Sequence, residues 1–235
     1  TRSVAFFGTA TYSYQRRYTL SGTVRYEGTN KLGKSTSARW LPTWNISGAW
    51  NAHEEKFWQM LEPTLSNFTL KASYSLTADR GPADVSNSLA IIQSYNPWRP
   101  FTSVKESGLL LKDAENSELT YEKKHELNIG AEIGFIDNRI NFAVDWYKRD
   151  NYDLIGLVNS AGTGVKITKF ANVASMKSHG VEFTLSTKNI KTRDFSWNTD
   201  FIFSHAKNEV TDLQSNARVI EMITGTGFTM EGYPV

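Results

Sequence analysis

Hydrophobic and polar residues alternate along much of this chain, with an apolar side chain at every second position. In residues 139–147 four large apolar side chains fall on one face of a predicted strand: Ile140, Phe142, Val144 and Trp146. The residues between them form the other face: Asn141, Ala143, Asp145 and Tyr147. Because successive side chains of a strand point to opposite faces, such a strand can contact an apolar environment on one face and water or polar protein on the other.

The same period of two recurs in seven other runs. They lie at residues 3–14, 18–27, 40–50, 68–76, 127–135, 181–185 and 195–203. Polar residues such as Lys71, Glu132 and Asp200 alternate with apolar neighbours in these runs, as Asp145 does in the first. Together the runs predict about eight antiparallel strands, all amphipathic in the same sense.

Two kinds of β protein share this alternation, a soluble sandwich and a barrel in a membrane. Strands of soluble domains average about five to six residues, whereas a tilted strand that spans a bilayer needs roughly nine to eleven, and several of the runs reach that length. Aromatic residues such as Tyr12, Tyr18, Trp40 and Trp50 also lie near predicted strand ends, where amphipathic rings fit a lipid headgroup boundary. Both features favour the membrane barrel.

The composition excludes several other classes of protein. The chain has 235 residues, a net charge of +2 and a mean hydropathy of -0.42, which fits a barrel because only alternate strand residues contact lipid. No run approaches the ~18 consecutive apolar residues of a membrane helix, and no apolar N-terminal segment predicts a signal peptide. The absence of cysteine excludes disulfide scaffolds and thiolate sites. Lys and Arg are scattered, so no nucleic-acid partner is predicted.

Short and long connections alternate between the predicted strands. Tight turns are predicted at residues 15–17, 136–138 and 188–193, and longer connections at about 28–38, 78–118, 152–178 and from 207 onward. Outer-membrane barrels place short turns in the periplasm and long loops outside the cell. The alternation therefore predicts that residues 78–118 form a long extracellular loop.

The connection at about residues 51–66 is intermediate in length. Phe57, Trp58 and Leu61 are spaced there as on one side of a helix, which predicts a short amphipathic helical turn on the periplasmic side. The chain opens within a strand pattern, and residues 231–235 do not read as a closing strand. We therefore expect residues 1–235 to be part of one larger barrel domain.

Several stretches of the chain carry a resemblance to a known family. They are residues 119–123, 126–130, 135–140, 145–149 and 153–155, the pair 172–176 and 179–183, the earlier hairpin at 12–14, 17–18 and 24–28, and Trp50, Glu54, Glu55 and Phe57. In this order they resemble the SusC/RagA family of TonB-dependent outer-membrane transporters, best known from Bacteroidota. The likeness extends over most of the chain.

This resemblance implies that the chain is a segment of an outer-membrane barrel of roughly 22 strands, and that the complete transporter imports large nutrients, oligosaccharides or peptides. It implies a SusD-like surface lipoprotein as lid and energy from TonB, ExbB and ExbD. We expect the plug domain, the TonB box and the closing strands to be absent from this chain, so that it neither gates nor transports alone. The expected surroundings are outer-membrane lipid, and no cofactor is implied.

The predicted loop at 78–118 contains aromatic residues between prolines, which make it a candidate contact surface. Sugar rings and peptide side chains stack on aromatic rings, and an arginine binds carboxylates or hydroxyls. The candidate residues for binding substrate or the lid protein are Tyr95, Trp98, Arg99 and Phe101. Packing of the same rings within the loop is the alternative.

Charged residues on the predicted polar faces are candidates for lining the lumen or for binding the plug. They are Arg25, Lys71, Glu132, Asp145, Glu182 and Asp200. A basic side chain on the lipid face would cost roughly 2 to 4 kcal/mol near the bilayer midplane, and their common phase therefore supports a lumen-facing position.

No set of nucleophile, base and orienting residue emerges, so no enzyme is predicted. The four histidines are far apart in sequence, and the acidic residues at 113–118 lack the ligand spacing of a calcium loop, so no metal site is predicted. Two alternatives to the importer remain at this point. One is a soluble or surface carbohydrate-binding β-sandwich, and the other is a small closed barrel that serves as a structural anchor.

Overall fold

The structure is a computed structural model that describes residues 2–62, 64–81, 89–96, 107–160, 167–214 and 230–234. These residues form ten strands, one short α-helix and two 3-10 helices. The strands are β1 (Ser3–Tyr14), β2 (Tyr18–Thr29), β3 (Trp40–Asn51), β4 (Leu65–Asp79), β5 (Ile91–Tyr95), β6 (Gly108–Asp113), β7 (Glu122–Phe135), β8 (Ile140–Ser160), β9 (Ile167–Lys191) and β10 (Ser196–Leu213). The α-helix is Thr36–Arg39, and the 3-10 helices are Ala52–Glu54 and Lys56–Met60.

Eight of the strands form one antiparallel sheet in the order β1-β2-β3-β4-β7-β8-β9-β10. Neighbours in the chain are therefore neighbours in the sheet, except that the hairpin β5–β6 is inserted between β4 and β7 and forms a two-stranded sheet of its own. Each of the eight alternating runs lies in a strand of the large sheet. The predicted antiparallel strands are thus confirmed.

The strand register turns the alternation of single strands into two continuous faces. Val144 pairs with Ala131 on β7 and with Phe183 on β9, so their side chains share one face. On this apolar face the ring of Phe183 lies 5.1 Å from that of Phe203 and 6.1 Å from that of Phe142, measured between centroids. The apolar rows nevertheless stay open to the surroundings, with Phe203 44% exposed.

Few large side chains are fully buried in the described part of the chain. The hydrophobic cluster with least exposure consists of Leu32, Leu119 and Tyr121, all in connections at one end of the sheet. A soluble sandwich would instead cover its apolar face with a second sheet. The sandwich alternative is therefore wrong. The small closed barrel is wrong as well, because the described sheet ends at β1 and β10 rather than pairing them.

Two of the predicted tight turns lie where the sequence placed them. Gln15 and Arg16 have φ of 50° and 59°, and Ile136, Asp137 and Asn138 have φ between 50° and 54°. These left-handed conformations reverse the chain within three residues. The third turn lies at residues 192–195 rather than 188–193, because β9 continues to Lys191, and it is closed by the Thr192 amide donating to the Phe195 carbonyl over 2.8 Å.

Two predicted connections contain more strand than expected. The described residues of 152–178 are strand rather than loop, since 152–160 belong to β8 and 167–178 to β9, strands of 21 and 25 residues. Their register shifts between Asn151 and Leu154, where Asp153 has φ of 58°. The segment 78–118 includes β5 and β6. At 51–66 the described residues form the two 3-10 helices rather than one amphipathic α-helix. Glu55, between the two helices, has an extended backbone with φ of -83° and ψ of 148°, which interrupts the helical path.

No helix in the described ranges combines the length and apolar character needed to cross a membrane.

Candidate functional site

The charged candidates share the polar face of the large sheet. Lys71 pairs with Gly130, Gly130 pairs with Asp145, and Asp145 pairs with Glu182, so these residues form one cross-strand row. Glu132 is two residues from Gly130 and therefore points to the same side. Arg25 pairs with Thr43, and Asp200 pairs with Ser186, which belong to this face as well. The register thus places all six candidates on one face.

One ion pair crosses from β4 to β7 within this face. The ammonium group of Lys71 donates a hydrogen bond to Oε1 of Glu132, although the two residues are 61 positions apart in the chain. Both side chains are about half exposed, at 48% and 51%. An exposed pair of this kind contributes little to stability, about 0–1 kcal/mol, so its main effect is to hold the two charges beside each other.

Two carboxylates lie directly opposite each other on β8 and β9. Asp145 and Glu182 are cross-strand partners, and like charges in this position repel. The Asp145 side chain extends over Gly130, where a larger residue on β7 would collide with its Oδ1 atom. The polar face therefore carries a local excess of negative charge next to the cation of Lys71.

A cleft of about 380 Å³ opens on the polar face at the end of the sheet with the long connections. The Glu27 carboxylate accepts one hydrogen bond from Arg25, at 2.5 Å, and forms an ion pair with Arg80. Asp79 and Tyr121 also line this cleft. Two guanidinium groups and two carboxylates thus surround a space that can hold several polar groups of a ligand.

Tyr121 is the buried member of the residues that line this cleft. Its hydroxyl donates to the backbone carbonyl of Arg39 over 3.2 Å, and its ring packs in the cluster with Leu32 and Leu119. Burial raises the pKa of the Tyr121 hydroxyl above its ordinary value, so it stays protonated as a donor. Glu27, Arg80 and Tyr121 were not among the site residues predicted from the sequence. Glu27 follows Arg25 by two residues on the same face, and Glu27 and Tyr121 lie in stretches that resemble the family, but neither signal pointed to a cleft.

The connection between β2 and β3 is tied to the segment before β7. The amides of Gly33 and Lys34 donate to the carbonyls of Leu119 and Ser117, each over 2.8 Å. Lys34 also pairs with Glu115 over 2.8 Å. The long connections at this end of the sheet are therefore fixed to each other beside the cleft.

The proposed contact residues of the long loop are placed only in part. Tyr95 ends β5, and its side chain is 50% exposed. The other three, Trp98, Arg99 and Phe101, lie outside the described residues. The two-stranded sheet nevertheless shows that the loop has local structure of its own next to these positions.

Comparison with known proteins decides the family. Residues 1–229 match the profile of the family described as TonB dependent receptor-like, beta-barrel. The chain belongs to this family. TonB-dependent receptor SusC of Bacteroides thetaiotaomicron is 29% identical over 213 residues, which are 89% of this chain and 21% of that protein. TonB-dependent receptor P3 of Formosa agariphila is 28% identical over 223 residues, 91% of this chain and 21% of that protein.

Solved structures support the same fold. The structure of the RagAB peptide transporter superposes with a TM-score of 0.78 at 24% identity, and it covers 90% of this chain and 22% of that chain. These comparisons confirm the resemblance to SusC and RagA and the antiparallel barrel architecture. This receptor-barrel segment spans about a fifth of the length of the curated relatives that it matches.

The arrangement in this receptor-barrel segment offers charged hydrogen-bond donors and acceptors to polar molecules. Its charged groups are distributed along an open face, and the cleft adds donors and acceptors at one end. Among the described residues, no group of three His, Cys, Asp or Glu side chains lies close enough to hold a metal ion. His53 contacts the Phe68 carbonyl at 3.1 Å, and His125 stacks with Tyr74 and Tyr152 at 5.7 Å between ring centroids.

Proposed function

We propose that this segment is part of the wall of an outer-membrane importer of large nutrients, oligosaccharides or peptides. In this proposal the importer works with a SusD-like surface lipoprotein. It draws energy from TonB, ExbB and ExbD through parts of the protein outside this chain. The segment itself performs no covalent chemistry. Its role is to separate a polar passage from lipid and to hold the outer loops that receive cargo.

The division of the sheet into two faces carries this proposal. All six charged candidates share one face, whereas rows of exposed aromatic and aliphatic side chains occupy the other. A charged residue on a lipid-facing surface costs up to about 2–4 kcal/mol, and exposed apolar rows in water favour aggregation. Both costs disappear when the apolar face contacts lipid and the charged face lines the lumen.

The loop end of the sheet supports the position of the cargo-receiving surface. The cleft between Arg25, Glu27 and Arg80 opens on the proposed luminal face, and the connections around it are fixed to each other. Tyr95, Trp98, Arg99 and Phe101 follow β4 in the chain and belong to the loop predicted at 78–118. We propose that these four residues contact either cargo or the lipoprotein lid.

Inactivating the parent gene in its own bacterium tests the transport proposal. Uptake of labelled oligosaccharides and of labelled peptides should be compared between the mutant, the complemented strain and a strain without TonB function. Loss of uptake of one nutrient class in both defective strains is the expected result. Normal uptake of both classes in the mutant, under conditions in which the protein is produced, contradicts the importer.

The loop residues require a separate test in the full-length parent. The double substitution Trp98→Ala and Phe101→Ala should lower either uptake or retention of the lipoprotein partner, and the measurement that changes identifies the contact. Leu109→Ala is a matched control, since this residue of β6 is 80% exposed in the same loop. Unchanged uptake together with unchanged partner retention removes these residues from the proposed site.

A further inference from the structure

Basic side chains lie at one shared level on the apolar face of three neighbouring strands. The row of β8 ends at Trp146 and is followed by Lys148, and the row of β9 ends at Val181 with His179 beyond it. Register places the basic residues in line across the sheet, because His179 pairs with both Lys148 and Lys207 of β10. We call Lys148, His179 and Lys207 the cationic rung.

The cationic rung is exposed on the apolar face. The side chains of Lys148 and Lys207 are 51% and 62% exposed, and His179 is exposed between them. Like charges at neighbouring cross-strand positions destabilise a sheet, and the two lysines are separated by only two strand spacings, or ~9.6 Å. An anion that contacts both ammonium groups would offset their repulsion.

The neighbouring acids leave these ammonium groups available to a ligand. Nζ of Lys148 lies 3.7 Å from Asp150, and Nζ of Lys207 lies 3.7 Å from Glu209, which exceeds the usual length of an N–H···O hydrogen bond. Oδ1 of Asp150 has no hydrogen-bond partner in the described part of the chain. The lysines are therefore not committed to strong pairs within the protein.

The level of the cationic rung matches the edge of a bilayer. Lys148 follows Ile140, the first residue of β8, by eight positions, which is ~26 Å along the strand. With the usual tilt of barrel strands this becomes ~20 Å along the membrane normal, close to the ~25 Å height of the apolar band of such barrels. The cationic rung therefore lies where lipid headgroups begin, at the loop end of the sheet.

We infer that the cationic rung binds the phosphate group of an anionic lipid in the leaflet at the loop end of the barrel. This inference rests on the proposed contact between the apolar face and lipid. Lysine ammonium groups donate charge-assisted hydrogen bonds to phosphate, and basic clusters beside membrane-spanning segments bind anionic headgroups. A lipid fits better than free phosphate, because its chains can cover Trp146 and Val144 directly beneath the cationic rung.

The test is lipid binding to the full-length parent in mild detergent, measured by native mass spectrometry. Diphosphorylated lipid A, phosphatidylcholine and inorganic phosphate are the three probes. The variant Lys148→Gln/Lys207→Gln should bind lipid A about 25-fold more weakly, since each lysine near an anionic surface contributes roughly fivefold. The control Lys188→Gln/Lys191→Gln removes the same charge from exposed positions at the other end of the sheet and should bind as the parent does.

A second variant separates headgroup binding from pairing within the protein. Asp150→Asn/Glu209→Gln removes the competing carboxylates and should bind lipid A more tightly than the parent. Equal binding of lipid A by the parent and the Lys148→Gln/Lys207→Gln variant overturns the inference. Binding of inorganic phosphate in place of lipid A, with the same loss in that variant, overturns the assignment to lipid.

Failure of this inference can be distinguished from failure of the proposed function. A Val144→Cys variant of the parent, in outer membranes, reports the environment of the apolar face directly. Suppose that this thiol reacts only with a lipid-soluble maleimide and that lipid A binds equally well without the two lysines. The apolar face then contacts lipid, as proposed, but the cationic rung does not bind the headgroup. If the thiol reacts readily with a charged maleimide, the lipid contact itself is wrong.

Discussion

At the scale of single residues, Gly180 shows how closely the polar face is packed. A Cβ atom at this position would lie 2.6 Å from the His205 carbonyl oxygen and 2.6–2.7 Å from the hydroxyl end of Tyr147. Tyr147 is buried, and the guanidinium of Arg149 lies 4.1 Å from its ring centroid. Because a backbone carbonyl blocks one side, the strand cannot accept a larger residue by moving one side chain.

We therefore expect Gly180→Ala to destabilise the parent barrel by about 1–3 kcal/mol, the usual cost of overpacking. The measurement is the temperature at which the folded barrel loses its characteristic migration on a gel. Gly22→Ala is the control, since no atom lies within 4 Å of a Cβ built there. Equal unfolding temperatures for both variants would show that β9 and β10 can separate at this point without cost.

The contacts of Glu55 predict a pH dependence at the tight-turn end of the sheet. Its carboxylate accepts a hydrogen bond from Tyr18 at 2.6 Å and pairs with Arg17 at 3.3 Å. The hydrogen bond from Tyr18, helped by Trp50 and Arg17, lowers the pKa of Glu55 below its ordinary value of 4.5. A lowered pKa in the folded state means that these contacts stabilise above pH 4.5 and are lost as the pH falls further.

Amide hydrogen exchange across residues 52–60 should consequently accelerate, after correction for intrinsic rates, as the pH falls below about 4.5. Glu55→Gln should exchange faster at neutral pH and should lose most of this pH dependence. Glu54→Gln is the control, because among the described residues the Glu54 carboxylate pairs only with His53, at 4.0 Å, and Arg17 donates to the Glu54 backbone carbonyl, which the substitution keeps. A pH profile that is the same in the Glu55→Gln variant and the parent would exclude Glu55 as the titrating group.

At the scale of elements, Asn172 explains why β8 and β9 continue past their irregular register. Its side-chain oxygen accepts from the Thr120 amide at 3.0 Å, and its nitrogen donates to the carbonyls of Thr120 and Asp153 at 3.0 and 2.6 Å. These bonds join β9 to the bulge of β8 and to the segment before β7. One side chain therefore fixes three parts of the loop end.

Asn172→Ala should lower the local stability of residues 119–121 and 151–155 by about 2–3 kcal/mol, since each of three hydrogen bonds contributes about 1 kcal/mol. The measurement is amide protection in these two segments of the parent. Asn198→Ala, on the exposed part of β10, is the control and should leave them unchanged. Protection equal to that of the parent would mean that Leu119 and Tyr121 hold this region without Asn172.

Alternation predicted the part of every strand in the large sheet where one face is polar and the other apolar, because two environments select the side chains there. The prediction failed beyond that part of the strands. Between Asn151 and Ile155 the register of β8 with β9 shifts, and Asp153, with φ of 58°, interrupts the period of two. The consecutive apolar residues Ile91-Ile92 and Leu109-Leu110-Leu111 carry no alternation at all, so the β5–β6 hairpin had no signal of this kind.

The candidate site could also be predicted only in part: the shared face of its charges could be predicted, but their contacts could not. The phase of each strand indicated which charges share a face, but contact between Lys71 and Glu132 depends on the register of β4 with β7. Register is set by loop length and packing over the whole sheet. The cleft depends further on loops that fold onto each other, as Gly33 and Leu119 do. Such contacts join residues that are distant in the chain and leave no local pattern.

At the scale of the whole molecule, the large sheet is a wall whose two edge strands in the described part of the chain are β1 and β10. β1 and β10 each have only one neighbour in the described sheet. Exposed edges offer unpaired backbone groups to other strands, and the closed barrel of a TonB-dependent receptor removes them. We therefore expect the stability of this sheet, and the environment that each of its faces contacts, to depend on the complete barrel.

The assignment of the two faces in that barrel leads to the last prediction. The chain contains no cysteine, so single thiols can be placed at neighbouring positions on opposite faces. Lys71→Cys and Glu182→Cys, on the polar face, should react with a charged maleimide in intact outer membranes because water fills the lumen. Leu70→Cys and Val181→Cys should react about tenfold or more slowly, since a charged reagent enters hydrocarbon at a cost of several kcal/mol.

Detergent-denatured samples of the same variants provide the control, since all four thiols should then react at similar rates. The comparison within each pair is a strict test of which face meets lipid. Leu70 and Lys71 are neighbours in sequence, as are Val181 and Glu182, so both members of a pair lie at nearly the same membrane depth. Depth alone therefore cannot produce the pattern. Faster reaction at Leu70→Cys and Val181→Cys would reverse the facing of the sheet, and with it both the luminal charges and the lipid site on the opposite face.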